Sequence, residues 1–407
     1  MVTRRVTAAG VAIVALAAAL AGGPGSALAA SGPRRPMPGP AAPPGPAGAT
    51  VEHWGAFIDL FRIANPRTSP VPLTLPGPVA EIGTSNSTDY ALLSNGSVYA
   101  WGLGTHGQLG NGGQSSSFSR PVRVQFPRGV RITSIPIDVM PYDMGLALDS
   151  TGHVWGWGLN GAGQLCLGDT RMRTRPVRLP FSDVTSYAGA GGHALFDSRG
   201  RVYACGDNRA GELGDGTFRS SARPVRVQLS RSADVTTLVA AFANSGALLA
   251  DGTYYDWGYN ARGQLGIGTT LVPSARPVQV PLPGPVGQVF QGGSAPRNGQ
   301  TLALLTSGRL YAWGDGRQYQ LGTGARLSQS SPDLITPPAG VRYRMVATGG
   351  GTSYALSTTG VVYAWGANPL GQVGNGTTVT ARTPVPVAAG ATSISSTYAT
   401  VLISLRG

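Results

Sequence analysis

The chain of 407 residues carries 42% apolar residues, 61 glycines, 32 prolines and only 12% charged residues. Such proportions give ample material for a core and argue against long helices, favouring many short strands joined by tight turns. The net charge of +13 comes from arginine alone, no lysine being present, and it permits contact with nucleic acid, anionic wall polymers or acidic proteins.

Residues 1–29 have a basic start at Arg4 and Arg5, an apolar run from Val6 to about Ala21, and a small-residue end at Ala27-Leu28-Ala29. That is the form of a cleaved secretory signal peptide, with no stable membrane span once it is removed. Arg4-Arg5 leaves the general and twin-arginine export routes both open. Residues 30–49 are proline-rich, cannot form a core, and read as a linker.

From residue 50 to 407 the chain is built on one unit, VYAWGLGTHGQLGNG from Val98 to Gly112, with relatives starting at Val154, Val202, Tyr254, Leu310 and Val361. Length alone suggests two or three domains, but a repeat of roughly fifty residues over nearly the whole chain implies one closed unit. Before each Trp-Gly segment lies a dipeptide ending in Gly: Asn95-Gly96, Thr151-Gly152, Arg199-Gly200, Asp251-Gly252, Ser307-Gly308 and Thr359-Gly360. Between apolar segments this predicts a hairpin with a two-residue loop, since Gly accepts a positive φ. Gly104, Asn160, Asn208, Asn260, Gly316 and Asn368 occupy one position after each Trp-Gly; these residue types tolerate a left-handed backbone, which is the conformation expected there.

Each repeat then reaches a Pro-Val strand (Pro121, Pro176, Pro224, Pro277, loosely Pro384), and a proline at its start suits the outermost strand of a small sheet. Arg120, Arg123, Arg175, Arg178, Arg223, Arg226 and Arg276 recur there in register, which reads first as a solvated edge and second as a polyanion site. Four strands at this period predict an all-β seven-bladed propeller of four-stranded blades. The chain ends in LISLRG, with Arg406-Gly407 where other copies turn, while Thr50 to Gly55 matches SVYAWG. The last blade is therefore expected to close with strands from both termini.

Catalytic and metal signals are sparse. The four histidines, His53, His106, His153 and His193, have no metal-ligand spacing, and there is no GxSxG, P-loop or EF-hand pattern. No catalytic residue, cofactor or metal ion is expected. Cys166 replaces the second Gly of GQLGxG and Cys205 replaces a Trp; a bridge and two separate buried thiols both remain open. Residues that vary before GQL, where the fold dictates least, are the candidate binding loops: Thr105, His106, Arg209, Arg262, Arg317, Tyr319 and Leu370.

With Trp-Gly, GQLGxG and the trailing Pro-Val in place, residues 50–407 resemble the regulator of chromosome condensation repeat family, which implies seven-bladed propellers. The copy at Trp54 departs from it, continuing as AFIDLFRIAN with no GQLG. The expectation is an exported, monomeric binding protein of bacterial type that holds another protein or a cell-wall polymer, not nucleic acid, through loops on one face. Inhibition of β-lactamases, performed by a secreted branch of the family, is one concrete version. The alternatives are guanine-nucleotide exchange on a small GTPase, as the family's nuclear founder performs, and an exported lyase or hydrolase with its site in the central channel.

Overall fold

The computed structural model describes residues 51–59, 62–85, 87–136, 143–293, 298–396 and 400–405. The expected signal peptide (1–29), the linker (30–49) and the Arg406-Gly407 turn lie outside the described residues. The described strands form seven antiparallel sheets of four. Blades 1 to 6 follow the chain over residues 79–123, 132–178, 184–226, 235–279, 286–335 and 343–388. In blade 3, for example, Val184–Ala190, His193–Ser198, Arg201–Gly206 and Ser221–Arg226 run from inner to outer strand. The inner strand of one blade packs on that of the next, arranging the sheets around a common axis.

Blade 7 is shared by the termini. Val51–Asp59 pairs with Thr400–Leu405, from Val51 opposite Ser404 to Gly55 opposite Thr400, while Ala391–Ser396 is its inner strand and Arg62–Leu73 its outer one. This pairing closes the ring and covers edges that a linear array would expose.

Second strands such as Thr88–Leu93, His193–Ser198 and Thr352–Ser357 are buried along their whole length because both sheet faces lie against neighbouring blades. The Pro-Val segments fall on the outer strands, as a missing N–H requires.

Two local expectations are corrected. Only Arg199-Gly200 is a two-residue loop, with φ of 55° and 69°. Elsewhere the strands close one residue further out, as where Leu93 N–H bonds Ser97 O at 2.8 Å, leaving a three-residue loop whose Gly96 has φ of 82°. Nor is the Asn/Gly position after Trp-Gly left-handed: none of those six residues has a positive φ. The asparagines act through their side chains, Asn208 Oδ1 accepting Leu213 N–H at 2.8 Å while its Nδ2 donates to Thr217 O at 3.0 Å. Glycine serves where the loop closes onto the backbone: a Cβ on Gly104 would stand 2.4 Å from Ser115 O.

Candidate functional site

The GQLGxG loop joins the third strand to the outer one, so all such loops leave the ring on the side where inner strands turn into second strands. A repeated clamp shapes them. The backbone N–H two residues before the loop Gln or Glu bonds its side-chain oxygen at 2.7–3.0 Å, pairing His106 with Gln108, Ala162 with Gln164, Ala210 with Glu212, Arg262 with Gln264, Gln318 with Gln320 and Leu370 with Gln372. The carbonyl of that Gln or Glu then accepts the indole N–H of the next blade: Trp157, Trp257, Trp313, Trp365 and Trp54 donate to residues 108, 212, 264, 320 and 372 at 2.8–2.9 Å. Loop shape is thus coupled to the packing between blades.

Blade 3 breaks this series with a covalent link. Cys166 and Cys205 are disulfide-bonded, their Cα atoms 5.5 Å apart. Cys166 keeps the left-handed φ of 59° that Gly110 has at 62°. A Cβ on Gly110 would stand 2.9 Å from Trp157 Nε1, so the bridge occupies the contact that Gly and Trp make in other blades. Of the two alternatives open from the sequence, the bridge is the one formed.

Glu212 stands where the other loops have Gln. Burial pushes its carboxyl up to about 7, while the N–H of Ala210 and a nearby Arg209 oppose the shift. Because the folded state then binds the proton more tightly than the unfolded chain, stability is highest below pH 4.5 and is lost as pH rises through 7. Glu212→Gln is expected to remove that loss, raising stability at pH 8 by about 3 kcal/mol at most and by nothing at pH 4, read from denaturant midpoints at both pH values. His53 and His193, each lowered by burial to about 4, act in the opposite sense, losing stability as pH falls from 6.5 to 4.

All seven candidate binding residues lie in these loops on one face. Thr105 and Arg209 are exposed, Arg209 pairing with Asp207 at 3.2 Å. His106 Nδ1 lies 2.9 Å from Asp143 Oδ2, and Asp143 also accepts Ser87 Oγ–H. Arg317 forks onto Asp315 at 2.7 and 3.1 Å and reaches Asn298 at 3.2 Å. Tyr319 stands where the other loops have Gly, with φ of 64°, and lies under the Arg382 guanidinium 5.4 Å from its ring centre. Arg262 and Leu370 are half-buried. Arg209 and Arg317 thus engage their own loops, while His106 and Tyr319 contact the neighbouring blade.

The second half of the same loops carries what the sequence did not single out. Large apolar side chains exposed to solvent are Met172 (37%), Phe218 (51%), Leu271 (75%), Val272 (72%), Leu327 (65%), Val379 (70%) and Leu334 (40%) among the described residues. All but Leu334 lie one to three residues before an outer strand, on blades 2 to 6 in succession. Single exposed leucines need no explanation, but their recurrence within one to three residues of the outer strand on five adjacent blades makes a candidate interaction face. Ser115 and Ser116 hold the place in blade 1, and in blade 7 the loop is replaced by the hairpin from Val51–Asp59 to Arg62–Leu73. Arg171, Arg219 and Arg326 flank three of the apolar residues and add positive charge to the crown.

Asp143, Asp256 and Asp315 belong to blades 2, 4 and 5, and Asp59, whose side chain is outside the described set, to blade 7. Asp256 is buried beside the Tyr254 hydroxyl, and burial raises its carboxyl well above the usual range. No group of three His, Cys, Asp or Glu suited to a metal ion, and no helix long and apolar enough to cross a membrane, occurs among the described residues.

Comparison with known proteins agrees with this architecture. The model of the regulator of chromosome condensation (RCC1) repeat matches residues 95–136, 151–196, 199–244, 251–295, 307–356 and 359–399. The chain is 29% identical over 294 residues to the ultraviolet-B receptor UVR8 of Arabidopsis thaliana, covering 70% of this chain and 64% of that one. It is 30% identical over 319 residues to the human E3 ubiquitin-protein ligase HERC2, covering 77% of this chain but only 6% of the ligase. Human WBSCR16 superimposes with a TM-score of 0.74 at 20% identity, over 88% of this chain and 100% of that one. Prp20p of Saccharomyces cerevisiae does so at 0.73 and 20% identity, over 88% and 92%. The seven-bladed ring, the Trp-to-loop hydrogen bonds between blades and these matched repeats together place the chain in the regulator of chromosome condensation (RCC1) repeat family.

Proposed function

We propose that this is an exported binding protein that seats a partner protein on the loop face of its propeller, a secreted inhibitor of β-lactamases being one concrete version. The apolar crown on blades 2 to 6 carries the proposal, since exposed apolar side chains in the same loop of five successive blades stabilise nothing within the ring and gain only by being covered. Export is supported by the form of residues 1–29 and by the Cys166–Cys205 bridge, because disulfides persist in oxidising compartments. Prp20p has been described with its binding to Gsp1p and histones; at 20% identity the likeness brings the ring to this chain and leaves those partners with Prp20p.

Two experiments test the proposal. Purified mature protein is titrated against a panel of β-lactamases, where undiminished hydrolysis by every enzyme removes the inhibitor version. The wild type and a Leu271→Ser/Val272→Ser/Leu327→Ser/Val379→Ser variant are then used to capture partners from culture medium and cell-wall extract. The variant is expected to stay folded and to bind a captured protein at least ~10-fold more weakly, as loss of central apolar contacts costs an interface more than 1 kcal/mol each. Equal retention by both proteins overturns the assignment to this face.

A further inference from the structure

The outer strands hold a second feature, distinct from the crown. Register against the third strand aligns Val122, Val177, Val225, Val278, Asp333, Val385 and Val71 across the seven blades. Two residues before this anchor stand Arg120, Arg175, Arg223 and Arg276 in blades 1 to 4, but Ser331, Thr383 and Ser69 in blades 5, 6 and 7. One residue after it stand Arg123, Arg178 and Arg226 in blades 1 to 3, then Gln279, Leu334, Pro386 and Pro72. Seven exposed arginines thus line one continuous arc of the outer wall, and the remaining wall has none at these positions.

None of the seven forms an ion pair among the described residues, whereas Arg173, Arg199, Arg209, Arg231 and Arg317 all do. Three of them also cross the seams between blades. Arg175, Arg223 and Arg276 lie over Gly112, Gly168 and Gly216 of the preceding loop, Arg175 Nε being 2.7 Å from where a Cβ on Gly112 would stand. Protection of sheet edges by charge applies equally to all seven blades and so does not account for an arc confined to four. Arg178 donates to His153 Nε2 and Arg276 to Gln228 Oε1; a run of guanidinium groups without carboxylate partners, bridging consecutive blades, matches a linear polyanion, because the planar fork binds phosphate oxygens in pairs.

We propose that this arc binds a phosphodiester-linked polymer of the cell envelope, which tethers the exported protein while its loop face stays free. Nucleic acid fits less well. The four arginine-bearing strands hold a single aromatic residue, Phe118, which packs on Phe57 with ring centres 5.9 Å apart, leaving no platform on which bases stack. The envelope source rests on export as proposed above, but the binding measurement does not.

The test measures binding of the mature protein to poly(glycerol phosphate) and, separately, to single-stranded DNA of equal charge between about 50 and 200 mM salt, a range that brackets a Debye length of about 10 Å. The wild type is expected to bind the polyol phosphate with log K falling linearly against log salt. In Arg120→Ser/Arg175→Ser/Arg223→Ser/Arg276→Ser the slope is expected to shrink by about 3, from roughly 0.7 per lost phosphate contact on a flexible strand. Arg123→Ser/Arg178→Ser/Arg226→Ser, an independent set, is expected to shrink it by about 2, and the crown variant to leave it unchanged. Absence of binding at the lowest salt, an unaltered slope in both arginine variants, or tighter binding of DNA overturns the proposal. Cell fractionation that finds the protein retained inside removes export alone, leaving the arc as a phosphate site.

Discussion

Reduction of the Cys166–Cys205 bridge is expected to lower the free energy of unfolding by about 4 kcal/mol, the chain-entropy value for a loop of this length. The residues are 39 apart in sequence and join blade 2 to blade 3, so the bond holds a seam that elsewhere depends on an indole hydrogen bond. Denaturant titrations with and without a thiol reductant check this, and an unchanged midpoint would show the seam to be held by packing alone. Cys166→Gly/Cys205→Trp provides the control. Glycine accepts the φ of 59° at position 166 without strain, and an indole at position 205 would face the Gln164 carbonyl, which lies 3.5 Å from Cys205 Sγ. That double variant is expected to be insensitive to reductant and more stable than the reduced wild type.

The tryptophan girdle yields the second large effect. Trp313 is fully buried and donates to Gln264 O at 2.9 Å across a seam. Its replacement by alanine is expected to cost about 3–5 kcal/mol through lost burial and the cavity left behind, and its replacement by phenylalanine about 1–2 kcal/mol, chiefly for the lost hydrogen bond. Trp101 differs. It is equally buried, but its indole nitrogen has no acceptor among the described residues, because blade 7 sends the long hairpin of Val51–Asp59 and Arg62–Leu73 where other blades send a GQL loop. Trp101→Phe is therefore expected to cost less than Trp313→Phe by about 1 kcal/mol. Thermal and denaturant unfolding of the three variants decide the matter, and equal losses for the two phenylalanine variants would contradict the role given to the hydrogen bond.

The candidate site was legible in part. The varying residues before GQL do gather on one face, because loop position is fixed by repeat position. Their roles were not legible. His106 and Arg317 vary between copies yet engage Asp143 and Asp315, so variation along the repeat does not by itself mark a side chain as free. Met172, Phe218, Leu271, Val272, Leu327 and Val379 escaped notice because they differ in type and fall at offsets of one to three residues from the outer strand. Only their common exposure unites them.

The asparagine position teaches the same lesson from the other side. Asn and Gly alternate there, which suggests a backbone conformation, yet the asparagines serve by hydrogen bonding and the glycines by their lack of a Cβ. Two different physical demands produced one apparent pattern.

By itself the sequence determined the number of blades, the order of strands within each, the proline-bearing outer strand and the closure of the ring by both termini. These follow from hydrophobic periodicity and turn chemistry, which act between residues close in the chain and recur with the period. The tertiary structure alone decided that Cys166 meets Cys205, that the Gln carbonyl of one copy accepts the indole of the next, that six apolar side chains stand uncovered on one face, and that seven arginines form an arc without carboxylate partners. Contacts of this second kind join different repeat positions on neighbouring blades, and exposure and pairing depend on what the closed ring brings alongside, which no stretch of chain carries within its own length.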